Sequence, residues 1–206
     1  MGKLNQLGIT IGLDNKADFI FNSLFENFLE IKYDKPSEYI SIYWEKYKNH
    51  PEVNNNLNGK IFEYILATLF IRENILPLYI SARVAFVPNV IYDLMLYTAE
   101  RGPICISAKT SLRERYKQAD LEAIALKYVH RKALCFLVTL QENEAKNVKA
   151  KIMSGDVIGL DNVIVATNEE FNDLIVELKT YQLSEPPTVK VIQSNQVITK
   201  EKVANL

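Results

Sequence analysis

The stretch of residues 78–140 constrains the fold most, because short strand-like runs surround a single helical segment. Runs rich in β-branched and aromatic residues, bounded by proline and glycine turns, predict four strands, at residues 78–87, 90–97, 104–109 and 133–140. A helical pattern at residues 111–128 separates the last two strands. The second and third strands are joined by a short hairpin-like connection and are expected to be neighbours. The pattern predicts an α/β fold in which a mixed β-sheet is flanked by helices.

Helical segments precede this region. Apolar residues recur at helical spacing over residues 18–47, and Asp14 and Asn15 are expected to cap the first helix. The asparagine-rich run at residues 54–56 is interpreted as a loop, and a further helix is expected to begin at Gly59. The N-terminal part of the chain is therefore predicted to be helical.

A further strand, a helix and a weakly patterned tail follow. The strand is expected at residues 162–167 and the helix at residues 169–178, and the tail after Pro186 is expected to form an edge strand or an arm. We interpret residues 1–206 as a single domain. Its predicted parts are a helical N-terminal region at 1–57, an α/β core at 58–180 and a C-terminal tail at 181–206.

The composition excludes several functions. The formal net charge of −1 argues against a protein that coats nucleic acid without specificity. Cys105 and Cys135 lie in apolar runs and are expected to be reduced core thiols, and with only two histidines no zinc cluster of normal spacing can be assembled. The sequence shows no signal-peptide core and no apolar run long enough to span a bilayer, so a cytoplasmic location is expected.

Asp93 and Lys109 are the residues whose positions point most directly to chemistry. Asp93 lies inside an apolar strand, where a carboxylate is costly unless it is paired or bound to a cation. Lys109 ends the next strand, and strand alternation places it on the same face as Ser107. A carboxylate that holds Mg²⁺ beside a lysine that orients or activates water suits metal-assisted phosphodiester cleavage. From these two residues alone, a structural ion pair joining two strands is an open alternative.

A basic-acidic-basic run follows Lys109. Ser111 and Glu114 form an S-x-x-E capping box, which predicts that a helix begins at Ser111. Arg113 and Arg115 are unfavourable beside the positive end of a helix unless that end faces an anion such as DNA. Arginine pairs with guanine and glutamate accepts from cytosine, so the run is a candidate reader of G·C pairs in a major groove. Alternatively, Glu114 only caps the helix and the arginines are solvated.

Together, Asp93, the Ser107-Ala108-Lys109 run, the Arg113-Glu114-Arg115 run and Glu122 resemble the type II restriction endonucleases of the PD-(D/E)xK superfamily. The resemblance is to the EcoRII, SsoII and PspGI group and its relatives Cfr10I and NgoMIV. In that group the carboxylate two residues before the lysine is missing, and a glutamate on the following helix replaces it. Here Ser107 occupies the vacated position, and Glu122 lies 13 residues after Lys109 (122 − 109 = 13).

The resemblance spans roughly residues 58–140 and also includes Glu63, because many of these nucleases carry an acid on the preceding helix. It departs from the group at the proline that usually lies near the first carboxylate, where this chain has Val90. Since that proline has no chemical role, the departure is minor.

The resemblance implies a restriction-endonuclease-like fold and a Mg²⁺-dependent, site-specific endonuclease that acts as a homodimer on double-stranded DNA. The implied target is a short palindrome-like site containing C·G pairs, of the CC/GG type. The implied catalytic residues are Asp93, Lys109, Glu122 and Glu63, of which Asp93 and Glu122 bind the metal. The residues assigned to DNA binding are Arg113, Glu114, Arg115 and Ser107.

The phase of the helix after Lys109 leaves the second acid open. If an apolar stripe containing Leu121 and Ile124 faces the core, Glu122 is solvated and Asp120 becomes the substitute acid. If instead the face that Glu122 shares with Ala119 meets the sheet, Glu122 is the acid. We favour the second interpretation, because the small alanine allows close approach.

Two other functions remain compatible with the sequence. One is a DNA repair or junction-resolving nuclease on the same fold, against which the Arg113-Glu114-Arg115 run argues. The other is a non-enzymatic DNA-binding module in which Asp93 and Lys109 form a structural ion pair.

Overall fold

The computed structural model describes residues 2–10, 15–87, 89–186, 192–194 and 196–205. The helices are α1 (Lys3–Gln6), α2 (Lys16–Leu24), α3 (Pro36–Lys48), α4 (Asn55–Arg72), α5 (Arg115–Val129), α6 (Glu142–Ser154), α7 (Glu169–Thr180) and α8 (Lys200–Ala204), with a 3₁₀ helix at Phe28–Glu30. The strands are β1 (Leu78–Val84), β2 (Tyr92–Thr98), β3 (Gly102–Lys109), β4 (Leu134–Thr139), β5 (Asn162–Val165), β6 (Ile192–Gln193) and β7 (Gln196–Ile198).

The described strands form one mixed seven-stranded sheet. Its order is β5-β4-β3-β2-β1, and both β6 and β7 pair with the outer edge of β1. β1, β2 and β3 are antiparallel neighbours joined by short connections, whereas β3, β4 and β5 run parallel and are linked through α5 and α6. The predicted mixed sheet flanked by helices is therefore confirmed.

The sheet divides the core into two layers, and helices cover each of its faces. Leu94 and Ile106 pack in the layer formed with α2, α3, α4 and α7. Met95 and Cys105, their neighbours along the same strands, pack in the opposite layer under α5 and α6. This is the period-two alternation of buried strands. As predicted, Cys105 and Cys135 are free, buried thiols.

The N-terminal helices differ from the expected boundaries. Asn15 caps α2 as predicted, since its side chain accepts from the backbone N–H groups of Ala17 and Asp18, whereas Asp14 lies outside the described residues. α4 begins at Asn55 rather than Gly59, because the Asn54 side chain accepts from the N–H groups of the first turn. The asparagine run therefore begins a helix, and its interpretation as a loop was wrong.

One helix that flanks the sheet, α6, was not predicted from the sequence. α6 buries only Ala145 and Val148, so its apolar stripe is too sparse to predict a helix. The C-terminal tail contributes β6 and β7 to the edge of the sheet, in agreement with the edge-strand expectation. Within the described ranges, no helix combines the length and the apolarity needed to cross a bilayer.

Candidate active site

Asp93 and Lys109 meet at one end of the sheet, where β2 begins and β3 ends. The Lys109 Nζ atom donates to the Asp93 Oδ2 atom at 2.7 Å. The Ala108 backbone N–H donates to the same oxygen at 2.9 Å. Both charged side chains are mostly buried, with 16% of Lys109 and 17% of Asp93 exposed. The hairpin thus brings together the two residues that sequence spacing paired.

Ser107 lies beside this pair rather than on the surface. It stands one position beyond the Leu94–Ile106 pair of the β2–β3 ladder, and its hydroxyl donates to Asp93 Oδ2 at 3.3 Å. The side chain is buried. Its assignment to DNA binding is therefore corrected: Ser107 holds the Asp93 carboxylate in place.

Glu63 reaches the same end of the sheet from α4, on the opposite side from α5. Its Oε2 atom accepts from Lys60 Nζ at 2.6 Å, one turn earlier on the helix. Burial raises the pKa of the Glu63 carboxyl, and the negative charge of Asp93 raises it further, against the opposing effects of Lys60 and Lys109. The carboxylates of Glu63 and Asp93 are therefore within electrostatic reach of each other.

Glu122 approaches from α5. Burial raises the pKa of its carboxyl, while a 2.7 Å hydrogen bond from Gln118 Nε2 and the charge of Lys109 oppose the shift. Asp93 adds a smaller raising effect. The Tyr92 hydroxyl donates to the Glu122 carbonyl oxygen at 3.0 Å and ties α5 to the start of β2. The Glu122 carboxylate is therefore within electrostatic reach of the Asp93–Lys109 pair.

The burial pattern of α5 distinguishes the two candidate acids. Ala119, Ala123 and Leu126 are buried against the sheet, whereas Leu121 is exposed. Asp120 is buried on another flank, where its Oδ1 atom accepts from the N–H groups of Gly159 at 2.6 Å and Leu160 at 3.2 Å. Asp120 therefore anchors the loop before β5, whereas Glu122 is the acid on which the charges of Lys109 and Asp93 act.

The run after Lys109 adopts a different conformation from the one predicted. α5 begins at Arg115, so the expected helix start at Ser111 was wrong, and Glu114 at the N-cap position makes no side-chain cap. Glu114 pairs instead with Lys117 at 2.5 Å. The buried Leu112 donates its N–H to Glu144 Oε2 at 2.5 Å, which holds the preceding segment outside the helix. The capping-box spacing is therefore coincidental.

Arg113 is held in an unusual backbone conformation in this turn. Its φ of +25° lies in the left-handed region, which is strained for a residue with a long side chain. Arg113, Glu114 and Arg115 are all exposed. The turn thus presents both arginine side chains to solvent next to the end of β3.

A polar cleft of about 450 Å³ lies beside the active-site end of β3. It is lined by Trp44, Lys48, Asn55, Asn58, Thr110, Ser111, Arg113, Arg115 and Gln141. Cationic and amide groups dominate this lining and suit phosphate and base edges. Sequence reasoning did not place Lys48 or Gln141 here, because α3 and the start of α6 are brought to β3 only by tertiary packing.

The carboxylates around Lys109 fit a magnesium ion by donor chemistry. Asp93, Glu63 and Glu122 supply hard oxygen donors, and a divalent cation would offset the burial, and the smaller effect of the Asp93 charge, that raise the pKa of both glutamates. Among the residues that the structure describes, no three acidic, histidine or cysteine side chains form a preassembled metal cluster.

Comparison with known proteins identifies the fold. No protein-family profile matches the sequence, and no curated protein matches it. Among solved structures, the chain is similar to the restriction endonuclease PspGI in a complex with substrate DNA. The match has a TM-score of 0.54 at 17% identity and covers 93% of this chain and 87% of that one. The protein therefore has a type II restriction-endonuclease-like fold, as the resemblance implied.

A second similar structure is metal-depleted Ecl18kI in a complex with uncleaved, modified DNA. That match has a TM-score of 0.47 at 16% identity and covers 87% of this chain and 78% of the other.

Proposed function

We propose that the protein is a Mg²⁺-dependent type II restriction endonuclease that cleaves double-stranded DNA at a short site containing C·G pairs. The observation that carries the proposal is the Asp93–Lys109 pair, at 2.7 Å, beside the arginine-lined cleft. The similarity of the fold to a restriction endonuclease bound to its substrate DNA supports DNA as the partner. Cleavage of both strands of a palindrome-like site requires two active sites, which a homodimer supplies.

Each residue of the site has a distinct role in the proposed hydrolysis. Asp93 and Glu122 would hold Mg²⁺, which when bound stabilises charge at the scissile phosphate and lowers the pKa of water. The Lys109 ammonium, fixed at the end of β3, donates hydrogen bonds to the attacking water or to a phosphate oxygen. Ser107 and the Ala108 N–H orient the Asp93 carboxylate. Glu63 adds a further carboxylate to the site and forms an ion pair with Lys60. Cleavage leaves 5′-phosphate and 3′-hydroxyl ends.

The test is digestion of several DNAs of known sequence with purified protein. We expect discrete fragments in the presence of Mg²⁺, no cleavage after chelation by EDTA, and one shared sequence at the mapped ends. Smeared products or no cleavage on any DNA would contradict a site-specific nuclease. Preferential cutting of a four-way junction would favour the alternative repair or junction-resolving function.

Arg113→Ala is expected to reduce specific recognition. Loss of a bidentate contact with guanine costs about 1–3 kcal/mol on the specific site and much less on other sequences. Equilibrium binding to the mapped site and to scrambled DNA, without Mg²⁺, measures this difference. The control is Arg101→Ala, because Arg101 lies in the turn between β2 and β3 at the opposite end of the sheet. An equal loss on both DNAs would assign Arg113 to phosphate contact instead.

A further inference from the structure

The loop between β1 and β2 exposes a phenylalanine beside the candidate active site. Phe86 is 81% exposed, whereas Val84 and Val87 on either side of it are buried in the core layer under α5 and α6. Ile91, at the end of the same loop, is 51% exposed and lies two residues before Asp93. The loop is therefore anchored by buried apolar residues while it presents two other apolar residues to solvent.

The backbone at Phe86 adopts a conformation that is unfavourable for an aromatic residue. The Val87 N–H donates to the Val84 carbonyl oxygen at 3.2 Å and closes a four-residue turn. Phe86 occupies the third position of this turn with a φ of +65°. A turn with a positive φ at that position ordinarily has glycine or asparagine there, because a bulky side chain is strained in this region. Strained residues of this kind cluster at functional sites.

The strand order places this loop on the far side of the Asp93–Lys109 pair from Arg113. β2 lies between β1 and β3 and is antiparallel to both, so the β1–β2 loop, the start of β2 and the end of β3 lie at one end of the sheet. Neighbouring strands are about 4.8 Å apart, so the loop lies on the order of 10 Å from the end of β3. That distance corresponds to about three base pairs of DNA, which rise about 3.4 Å each. A duplex that contacts both the pair and Arg113 therefore extends toward the loop.

The side chains around the apolar tip of the loop suit DNA. Arg83, at the end of β1, is exposed, and no acidic side chain among the described residues pairs with it. Asn89 is exposed as well. Arginine and asparagine donate hydrogen bonds to phosphate oxygens and base edges, and residues 83–91 contain no aspartate or glutamate that would repel DNA. An apolar side chain with such neighbours is typical of proteins that insert a wedge between base steps.

We propose that the β1–β2 loop contacts the base pairs that flank the cut site, with Phe86 inserted against them as an apolar wedge and Arg83 on the adjacent phosphates. This contact rests on the proposed function, because it takes double-stranded DNA as the partner. It adds a second DNA-binding region to the arginine-lined cleft, on the other side of the Asp93–Lys109 pair. Insertion covers the exposed ring and compensates for the strained backbone at Phe86.

Phe86→Gly distinguishes a DNA contact from a structural role. Glycine adopts a positive φ without strain, so the thermal midpoint of the free protein is expected to be equal to or higher than that of the wild type. Affinity for a DNA duplex of mixed sequence, measured without metal, is expected to fall about tenfold, because an aromatic contact with bases is lost. Unchanged affinity would overturn the proposal, and so would a fall in affinity that accompanies a lower thermal midpoint.

Met153→Ala is the matched control for the loss of an exposed apolar side chain. Met153 is 89% exposed in the last turn of α6. Because α6 connects the parallel strands β4 and β5, it ends at the opposite end of the sheet from the candidate active site. Its substitution should leave DNA affinity within about twofold of the wild type. A loss as large as that of Phe86→Gly would show that the effect does not depend on the loop and would overturn the proposal.

Duplexes with short and long flanks test the position of the contact. The wild type should bind the mapped cleavage site more tightly when each flank is lengthened from about one to about ten base pairs, because the loop reaches about three base pairs beyond the cut. Phe86→Gly should lose most of this preference for long flanks. Arg113→Ala should keep the preference while binding the site more weakly. A flank preference in Phe86→Gly equal to that of the wild type would overturn the placement of the loop on flanking DNA.

The same proteins separate the loop contact from the nuclease activity. A wild type that binds duplex DNA, loses affinity on Phe86→Gly and never cuts DNA would leave the loop contact standing and contradict the nuclease proposal. A wild type that cuts DNA at discrete sites, while Phe86→Gly retains its affinity and its flank preference, would contradict the loop contact alone.

Discussion

Asp93→Asn is expected to lower the rate of DNA cleavage by at least about 10³-fold, which corresponds to about 4 kcal/mol of transition-state stabilisation. The substitution removes the charged oxygen that binds metal and that Lys109, Ala108 and Ser107 now hold. An asparagine keeps the size and one acceptor oxygen, so the fold is expected to survive. DNA affinity without Mg²⁺ should change little, because the arginines proposed to contact DNA are untouched.

Lys109→Met is expected to lower the rate of DNA cleavage by a similar factor. The methionine retains the apolar stem of the lysine but cannot donate to water or to a phosphate oxygen. Single-turnover cleavage with excess enzyme measures the chemical step for both variants, and gel-shift binding measures affinity separately.

The Lys127–Asp161 ion pair supplies the control. It joins α5 to the residue before β5 at 2.8 Å, and it too is partly buried. Asp161→Asn removes a comparable charge away from the site and should leave cleavage within about threefold of the wild type, a difference of less than about 1 kcal/mol. If Asp93→Asn behaves like Asp161→Asn, and Mg²⁺ or Ca²⁺ titration shows no binding that depends on Asp93, the pair is structural and the nuclease proposal fails.

Substitutions of the two acids on α5 are expected to affect different properties: a change at Asp120 should lower stability, and a change at Glu122 should lower the cleavage rate. Asp120→Ala leaves the buried N–H groups of Gly159 and Leu160 without their acceptor, at a cost of about 2–4 kcal/mol in the free energy of unfolding. Glu122→Gln should instead lower cleavage by at least about 10²-fold, or about 2.7 kcal/mol. Urea denaturation and single-turnover cleavage measure the two quantities on each variant.

Glu122→Gln is also expected to leave the stability of the protein unchanged or to raise it. Because burial raises the pKa of the Glu122 carboxyl, its ionised form is disfavoured in the folded protein, and this penalty develops as pH rises from the ordinary pKa of a glutamate to the raised pKa. A neutral glutamine escapes the penalty, so stability at neutral pH should be unchanged or higher while cleavage falls. A stable, inactive Asp120→Ala together with an active Glu122→Gln would reverse the assignment of the two acids.

Local sequence patterns predicted most of the sheet. β-branched runs and turn residues indicated β1 to β5, and the hairpin between β2 and β3 was sufficient to pair Asp93 with Lys109. These signals are local, because strand alternation and short turns act between residues that are close in sequence. The edge strands β6 and β7 gave only a weak pattern, since much of their stability comes from pairing with β1.

The face that α5 buries could not be predicted from the sequence of the helix itself. Leu121 and Ile124 form the more conspicuous apolar stripe, yet the buried face consists of Ala119, Ala123 and Leu126. Small residues allow the helix to approach the sheet closely, and this gain depends on the opposing surface, which the helix sequence does not contain. The start of α5 depends equally on a distant group, because Glu144 on α6 binds the N–H of Leu112.

The sequence alone determined the mixed α/β fold and the pair Asp93 and Lys109, because strand period and hairpin length act over a few residues. Tertiary structure distinguished the two candidate acids, since Asp120 is held by the loop before β5 and Glu122 is within electrostatic reach of the pair. It also moved Ser107 from the DNA surface to the support of Asp93, and it placed Trp44 and Lys48 beside Arg113. These outcomes depend on contacts between segments far apart in the chain, which no local pattern encodes.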